Sequence, residues 1–204
     1  MEQKTYSKPY DPNYKKKPFV KYEKKPKEPE VAELYRTVGI FCNENPPIEV
    51  LDKAKIVAAL LQEHEFTLRT DTTSALSPIF EEAISRKEIY LPWKGFKELD
   101  SKFYFSSEVS KEVAGKFHSN FETIKDTAKA FLSRNVRIVL GNNMKSNVSI
   151  LVIWSADGAE NKASKTPKTG YLLHPINIAS KINIPIFNLQ NENSLDRIKS
   201  FLTY

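Results

Sequence analysis

The sequence predicts an α/β fold: a Rossmann-like, doubly wound and mostly parallel sheet flanked by helices, preceded by a basic, extended N-terminal arm. From residue 35 onward, apolar stretches of strand length alternate with amphipathic stretches of helical spacing, and one stretch, SILVIW, is apolar throughout. Such alternation favours a parallel sheet, and a continuously apolar strand is typical of burial on both faces. The 204 residues suit one domain with a sizeable core. We therefore expect an arm over residues 1–32 and a domain over residues 33–204.

The first two strand–helix units are predicted between residues 35 and 86. YRTVGIFC has the composition of a strand and is followed by two prolines and the helical pattern VLDKAKIVAALLQEHE. Proline is favourable in a first helical turn, and the apolar residues of this pattern recur on one helix face. FTLRT then predicts a short second strand, and SPIFEEAISR predicts a second helix.

The remaining elements continue the alternation. EIYLPW predicts a third strand ending at a proline, and residues 120–135, NFETIKDTAKAFLSRN, predict a helix capped by Asn120. SILVIW follows, and a polar loop runs from Ser155 to Thr169. NIASK then predicts a helix, IPIFNL a strand and SLDRIKSFL a closing helix, whose apolar face we expect to seal the core.

The first thirty residues carry most of the net charge. They contain nine lysines and five acids, so nine positive charges less five negative ones leave +4 of the total of +6. Tyrosines are interleaved with these lysines, and aromatic rings can stack on bases while lysines neutralise phosphates. Non-sequence-specific contact with nucleic acid is therefore one prediction; a solubilising tail, or a strap on a protein partner, fits equally well. The residues concerned are Tyr6, Tyr10, Tyr14, Lys15, Lys16, Lys17, Lys21, Tyr22, Lys24 and Lys25.

Composition argues against several classes of protein. The single cysteine, Cys42, excludes an intramolecular disulfide framework and favours a reducing, cytoplasmic setting, and we expect a buried, inert thiol. His64, His118 and His174 lie too far apart for the spacing of metal ligands, so no metal or other cofactor is expected. No apolar run is long enough to cross a bilayer, and the N-terminus does not resemble a signal peptide, so no membrane association is expected.

Several motifs resemble the DprA-like members of the SLOG superfamily, especially the small single-domain versions of bacteriophages and bacteria. The strongest is KEIYLPWKGF. In the family's order, it is supported by RTVGI…ENPP, FHSNF, LSRNVRIVLG, SILVIWSADG and NIASKINIPIFNL, which together span most of residues 35–190. The resemblance implies a Rossmann-like fold that binds a nucleotide ligand or single-stranded DNA at glycine-rich turns. It also implies possible self-association to a homo-oligomer and, for a phage protein, the host cytoplasm.

The chain departs from the family at three of those turns. The family's Gly-Ser-Arg after the first strand is replaced by FCN at 41–43, its glycine-rich turn after the second strand by TDTTSALS at 70–77, and its Thr-Gly-Gly-Thr-Gly by TGYLL at 169–173. Glycine lets a backbone approach a phosphate closely. Phe41, Tyr171 and Leu172 add bulk instead, and Asp71 adds negative charge. We therefore expect the phosphate cradle of the family to be lost.

If a ligand cleft is retained, the resemblance implies a set of residues around it. Arg134 and Asn135 match an Arg-Asn pair of the family, but the preferred explanation is a cation and a capping residue at a helix C-terminus, which need no ligand. The full set is Cys42, Asn43, Arg69, Thr70, Asp71, Thr72, Ser74, Arg134, Asn135, Thr169 and Gly170.

Two functions stay open at this point. YLLHP at 171–175 lacks the glycine run and the glutamate with which related nucleotide-cleaving enzymes work, so catalysis is not expected. The first function is a non-catalytic binding or structural subunit that its arm attaches to nucleic acid or to a nucleoprotein assembly. The second is a module that binds a nucleotide-derived signal with altered specificity. Trp93, Lys94 and Trp154 are expected to be structural.

Overall fold

Five parallel strands form one sheet in the order β3-β2-β1-β4-β5. The computed structural model describes residues 36–104 and 107–203, so the predictions made for the arm lie outside the described residues. The helices and strands are β1 (Thr37–Cys42), α1 (Ile48–Glu63), β2 (Thr67–Thr70), α2 (Ser77–Ala83), β3 (Lys87–Ile89), α3 (Glu108–Lys116), α4 (Asp126–Leu140), β4 (Ile150–Trp154), α5 (Leu173–Lys181), β5 (Ile186–Asn188) and α6 (Ser194–Leu202).

The strand order reverses direction between β1 and β4, which lie side by side in the sheet. Val38 of β1 is opposite Ile150 of β4, and Cys42 is opposite Trp154. In a doubly wound sheet, ligands bind outside the carboxyl ends of the strands at such a switch point. The predicted Rossmann-like fold class is therefore confirmed, and its switch point lies at the carboxyl ends of β1 and β4.

Helices cover both faces of the sheet. Val38, Ile40 and Cys42 point into a core shared with α1, α2 and α6, whereas Phe41 points into a second core shared with α3, α4 and α5. This alternation follows from the two-residue period of a strand. All five residues of β4 are buried, as the continuous apolar stretch predicts. The closing helix α6 buries Ile198 and Leu202 against the first core, which confirms that it seals the core.

The main correction concerns residues 120–135, predicted as one helix capped by Asn120. Phe121–Thr123 forms a short 3-10 turn instead, residues 124–125 are extended, and α4 runs over Asp126–Leu140. The Asn120 side chain makes no capping hydrogen bond. Phe121 packs against Gly115 of α3, so the chain must turn there before the helix can begin.

This shift in register places Arg134 and Asn135 in the interior of α4, where both are buried. The preferred explanation of the pair as a cation and a cap at a helix C-terminus is therefore wrong. Helix α3 was not predicted from the sequence; the Ser107 side chain caps it by accepting a hydrogen bond from the Ser110 N–H at 3.1 Å. Within the described residues, no helix has the length and apolar character needed to cross a membrane.

Candidate functional site

A cleft of about 760 Å³ opens at the carboxyl ends of β1 and β2. One wall is apolar and comes from α4 and the two turns that precede it. A second wall is polar and comes from the turns after β1 and β2 together with two polar residues of α4. The side chains that define it are Phe96, Ile124, Phe131 and Leu132 on the apolar wall, and Asn43, Asp71, Thr73, Arg134 and Asn135 on the polar wall.

Asp71 and Arg134 form a buried ion pair in the polar wall. The Arg134 Nη2 atom lies 2.7 Å from the Asp71 Oδ2 atom, and the side chains are 5% and 4% exposed. Asp71 follows β2, whereas Arg134 lies in α4, so the pair joins two separate elements. A cation and an anion of the chain thus neutralise each other where the family resemblance implies an anionic ligand.

The turn after β2 satisfies its own backbone donors. The Asp71 Oδ1 atom accepts hydrogen bonds from the N–H groups of Thr73 at 2.9 Å and Ser74 at 3.1 Å. The hydroxyls of Thr70 and Ser74 accept from the N–H groups of Thr72 and Leu76, both at 3.3 Å. These N–H groups are the ones that a glycine-rich turn would point at a phosphate. Here side chains of the turn itself occupy them.

Arg134 is held from several directions. Its Nη2 atom also donates to the Asn135 Oδ1 atom at 3.1 Å, and its guanidinium lies 5.0 Å from the centre of the Phe131 ring. Burial lowers the pKa of Arg134, and the charge of Asp71 opposes that shift. Its Nη1 atom is buried without a hydrogen-bond partner among the described residues. Nη1 is therefore a hydrogen-bond donor of the guanidinium that has no acceptor in the part of the chain that the structure describes.

A second set of contacts ties the end of β1 to the loop before α5. The Tyr171 hydroxyl donates to the Cys42 carbonyl, and the Asn43 Nδ2 atom donates to the Lys168 carbonyl at 2.9 Å. Burial raises the pKa of the Cys42 thiol to about 11 and also raises the pKa of the Tyr171 phenol. Both groups therefore stay protonated near neutral pH. The burial of the Cys42 thiol expected from the sequence is confirmed, and its low reactivity stays a prediction.

Asp157 organises the loop between β4 and α5. Its carboxylate accepts from the Ser155 hydroxyl at 2.6 Å, from the Thr166 N–H at 3.0 Å and hydroxyl at 2.8 Å, and from the Thr169 hydroxyl. Burial would raise the pKa of Asp157, but these hydrogen bonds outweigh it and hold the pKa well below its usual range. The loop is therefore fixed by one carboxylate.

The structure brings five of the eleven predicted cleft residues together: Cys42, Asn43, Asp71, Arg134 and Asn135 line the cleft. Arg69 points away from it and pairs with Glu88 at 2.7 Å. The other five predicted residues do not line it either, because their side chains or backbone serve the turns described above. These are Thr70, Thr72, Ser74, Thr169 and Gly170.

The expected obstruction by three bulky residues needs correction. Phe41 is buried in the second core and Leu172 is fully buried, so neither lines the cleft; Tyr171 does. Sequence reasoning also missed the apolar wall formed by Phe96 and Phe131. The signal for it was available in the aromatic residues of WKGF and of the AFL segment of α4.

Comparisons with known proteins give a likeness of fold. No protein-family model matches the chain, and no curated protein matches it. Among solved structures, it is similar to DNA processing protein A from Helicobacter pylori, a protein described for its single-stranded DNA binding mode, with a TM-score of 0.47 and 13% sequence identity. The match covers 82% of this chain and 79% of that one.

Proposed function

We propose that this chain is a non-catalytic binding or structural subunit on a DprA/SLOG-like scaffold, encoded by a phage, and that its arm, residues 1–32, attaches it to nucleic acid. The observation that carries the proposal is the buried ion pair of Asp71 and Arg134. It neutralises the guanidinium that lines the cleft. This argues against the cleft as the site of contact with phosphates and leaves the basic arm, which carries +4 of the net charge, as the candidate.

The cleft is a poor site for a phosphate in this arrangement. An anion that displaced Asp71 from Arg134 would leave a buried carboxylate without its partner, which costs roughly 3–5 kcal/mol. The N–H groups of Thr73 and Ser74 could not compensate, because Asp71 already occupies them. A phosphate would therefore have to break the turn in order to bind.

The non-catalytic character proposed here is supported by two of the titratable side chains that line the cleft, Cys42 and Tyr171; Glu44, Asp71 and His118 also line it. General acid–base or nucleophilic catalysis needs a pKa near the working pH or a depressed one. The pKa values of Cys42 and Tyr171 are both raised. Neither residue can supply a base or a nucleophile in that state.

The experiment that tests the arm is fluorescence anisotropy of labelled single-stranded DNA and RNA with the full-length chain. We expect binding that weakens with salt, and we expect the triple variant Lys15→Gln, Lys16→Gln, Lys17→Gln to bind more weakly. Removing three phosphate contacts should reduce the slope of log affinity against log salt by about 2.

A matched control removes the same charge elsewhere. Lys162, Lys165 and Lys168 are exposed in the loop before α5, and their triple replacement by glutamine also changes the net charge by three. This variant should bind like the unaltered protein. Equal losses in both variants would mean that binding follows net charge and not the arm, whereas no binding by any of them would turn the search to a protein partner for the arm.

The cleft volume favours a second candidate function, the capture of a nucleotide-derived ligand with altered specificity. A space of about 760 Å³ with an aromatic wall suits a planar ligand without a phosphate. A thermal-shift comparison of nucleosides with the corresponding nucleotides tests it, since a ligand at a hundred times its dissociation constant adds roughly 2.7 kcal/mol to stability. Stabilisation by nucleosides alone supports this function, and no stabilisation removes it.

A further inference from the structure

The segment between β3 and α3 contains a loop whose two ends lie side by side. The Leu91 N–H donates to the Phe103 carbonyl at 3.0 Å, and the rings of Tyr90 and Phe103 stack with their centres 4.8 Å apart. Residues 92–102, which we call the 92–102 loop, therefore leave the domain and rejoin it at one place. Compact surface loops with closed ends are frequently functional.

A buried arginine of α4 fixes the closed ends of the loop. The Arg137 Nη2 atom donates to the Leu91 carbonyl at 2.7 Å, and its Nη1 atom donates to the Phe103 carbonyl at 3.0 Å. Arg137 is fully buried, and its guanidinium lies 5.6 Å from the centre of the Tyr90 ring. Moving either end would break hydrogen bonds of a buried charged group, which is costly. The ends of the loop are therefore held in place.

Between its ends, the loop is hydrogen-bonded mainly to itself. Three of its N–H groups donate to carbonyls of the loop at 3.0 to 3.3 Å, and the Ser101 hydroxyl donates to the Ile89 carbonyl at the end of β3. In the part of the chain that the structure describes, the hydrogen bonds of residues 92–102 stay within the loop or reach Ile89 and Phe103 at its ends. The outer part of the loop is thus not tied to the domain by hydrogen bonds of the described residues.

One aromatic cluster holds the outer part of the loop against the domain. Trp93 packs edge-on against Phe131 of α4, with ring centres 5.6 Å apart, and Phe96 packs against the same ring at 5.5 Å. Trp93 and Phe96 also pack edge-on against each other at 5.0 Å. The Trp93 side chain remains 40% exposed, so this packing covers only part of it. Phe131 is therefore the point on which the loop rests.

The backbone of the loop opposes this anchor. Lys97 and Glu98 have φ values of +53° and +61°, in the left-handed region that is costly for residues other than glycine. Such conformations persist where the surrounding structure imposes them. The packing of the adjacent Phe96 on Phe131 supplies that constraint, and it is lost if the loop moves away. Aromatic packing and backbone strain therefore act in opposite directions on the attached loop.

The loop also forms part of the cleft. Phe96 and Lys97 of the loop line it beside Phe131 and Leu132 of α4. Movement of the loop away from α4 would remove Phe96 from the apolar wall and uncover the ring of Phe131. The attached loop therefore completes the cleft, and a detached loop would open it to solvent.

We propose that the 92–102 loop is a lid on the cleft, which turns about its ends at Leu91 and Phe103 and opens when its aromatic side chains leave Phe131. The open lid admits a ligand, and the closed lid supplies part of the apolar wall. Lids are drawn from parts of a fold with few contacts and low local stability. The inference goes beyond both proposed functions, and its test reads the loop without any ligand, so its outcome is independent of theirs.

The first test is NMR relaxation dispersion of the full-length chain, which detects two states that interchange within microseconds to milliseconds. We expect the Trp93 indole and the amides of residues 96–99 to report one common exchange process. The Leu91 amide, which is bonded to Phe103, should not report it. Hydrogen exchange covers slower opening, and the Glu98 and Leu99 amides should exchange at least about tenfold faster than the Leu91 amide.

Replacing Phe131 tests the anchor. Phe131→Leu keeps an apolar side chain but loses the edge-on contacts with Trp93 and Phe96, so the open population should rise about fivefold or more. Phe201→Leu is the matched control, because Phe201 also packs edge-on, against Phe187 at 6.0 Å, and does not line the cleft. This control should leave the exchange process of the loop unchanged.

A second pair of variants tests the strain. Lys97→Gly and Lys97→Ala both remove the lysine side chain, but only glycine adopts a φ of +53° without steric cost. The closed lid should therefore be favoured in the glycine variant, with an open population roughly threefold lower, or less, than that of the alanine variant. Equal open populations in the two variants would overturn the opposition of anchor and strain on which the lid depends.

The remaining outcomes are decided by the comparison of the two phenylalanine variants. An exchange process confined to the loop that responds to Phe131→Leu and not to Phe201→Leu supports the lid. An equal response to both substitutions overturns it, because the process would then follow overall stability. Flat dispersion together with equal protection of the Leu91, Glu98 and Leu99 amides also overturns it, since the loop would then open only when the domain unfolds.

Discussion

The Nη2 atom of Arg134 lies 2.7 Å from the Oδ2 atom of Asp71, with both side chains almost fully buried. This contact joins the interior of α4 to the turn after β2, and it closes the polar wall of the cleft from within. The charge that the turn gained with Asp71 is therefore not simply repulsive toward a ligand. The Asp71 carboxylate forms an ion pair with the Arg134 guanidinium, which could otherwise bind an anionic ligand.

Breaking this pair should destabilise the fold. Asp71→Asn keeps an oxygen that can accept from the N–H groups of Thr73 and Ser74, but it leaves Arg134 charged and unpaired, so we expect a loss of roughly 3–5 kcal/mol. Urea unfolding measures it. The double variant Asp71→Asn, Arg134→Met should recover much of the loss, because no uncompensated charge remains; strictly additive losses would contradict the coupling.

The same substitution should create an anion site. With Asp71 replaced by asparagine, the Arg134 guanidinium becomes available, so pyrophosphate should raise the melting temperature of this variant and leave the unaltered protein unchanged. Glu88→Gln is the control, because it also removes a carboxylate paired with a buried arginine, Arg69, outside the cleft. Equal stabilisation of all three proteins would show that the ion pair does not govern anion binding.

His174 should make the fold sensitive to mild acid. Burial lowers its pKa from 6.5 to about 4; the hydrogen bond with the Ala114 carbonyl opposes this shift, and the charge of His118 adds to it. Below pH 6.5 His174 is therefore protonated in the unfolded chain, whereas in the folded chain it stays neutral until about pH 4. Stability should fall through this window by up to about 1.4 kcal/mol per pH unit.

Urea unfolding of His174→Gln against the unaltered protein across that window measures this contribution. Glutamine can still donate to the Ala114 carbonyl, so the variant should show a shallower loss of stability on acidification. The carboxylate of Asp157, whose pKa is lowered, stabilises the fold above its ordinary pKa and loses this effect at more acidic pH, outside the window. Parallel curves for the two proteins would rule His174 out as the source.

Cys42 should resist alkylation in the folded protein. Its thiol is 2% exposed and its pKa is raised from 9.0 to about 11, which lowers the thiolate fraction about a hundredfold near neutral pH. Mass spectrometry after treatment with iodoacetamide gives an unambiguous result, since the chain has one cysteine. We expect slow labelling in buffer and rapid labelling in urea; rapid labelling of the folded protein would place the thiol at an open surface.

Gly170 should tolerate alanine worse than Gly95 does. Gly170 has φ +57° and ψ −137°, a combination that is accessible almost only to glycine, and it lies between Thr169 and Tyr171, which hold the loop to Asp157 and to β1. Gly95 has φ +73° and ψ +16°, and an added Cβ would meet no atom within 4 Å. Urea unfolding should show a loss of about 1 kcal/mol for Gly95→Ala and a larger one for Gly170→Ala.

The architecture follows from local patterns in the amino-acid sequence. SILVIW was identified as a strand buried on both faces, and the alternation of strands and helices predicted the parallel sheet, because both depend on local periodicity of apolar residues. The buried state of Cys42 and the core-sealing role of α6 followed from the same kind of pattern. The charge excess of residues 1–30 is likewise a property of sequence alone.

The set of residues that meet at the cleft depends on contacts between elements that are distant in sequence. Periodicity assigns a residue to a face but does not say what lies opposite, so the pairing of Asp71 with Arg134 and the outward direction of Arg69 could not be derived from spacing. The start of α4 depends on the packing of Phe121 against Gly115, a contact between separate elements. The exposure of Trp93 was decided in the same way, because Phe96 and Phe131 bury one side of its ring and leave the other to solvent.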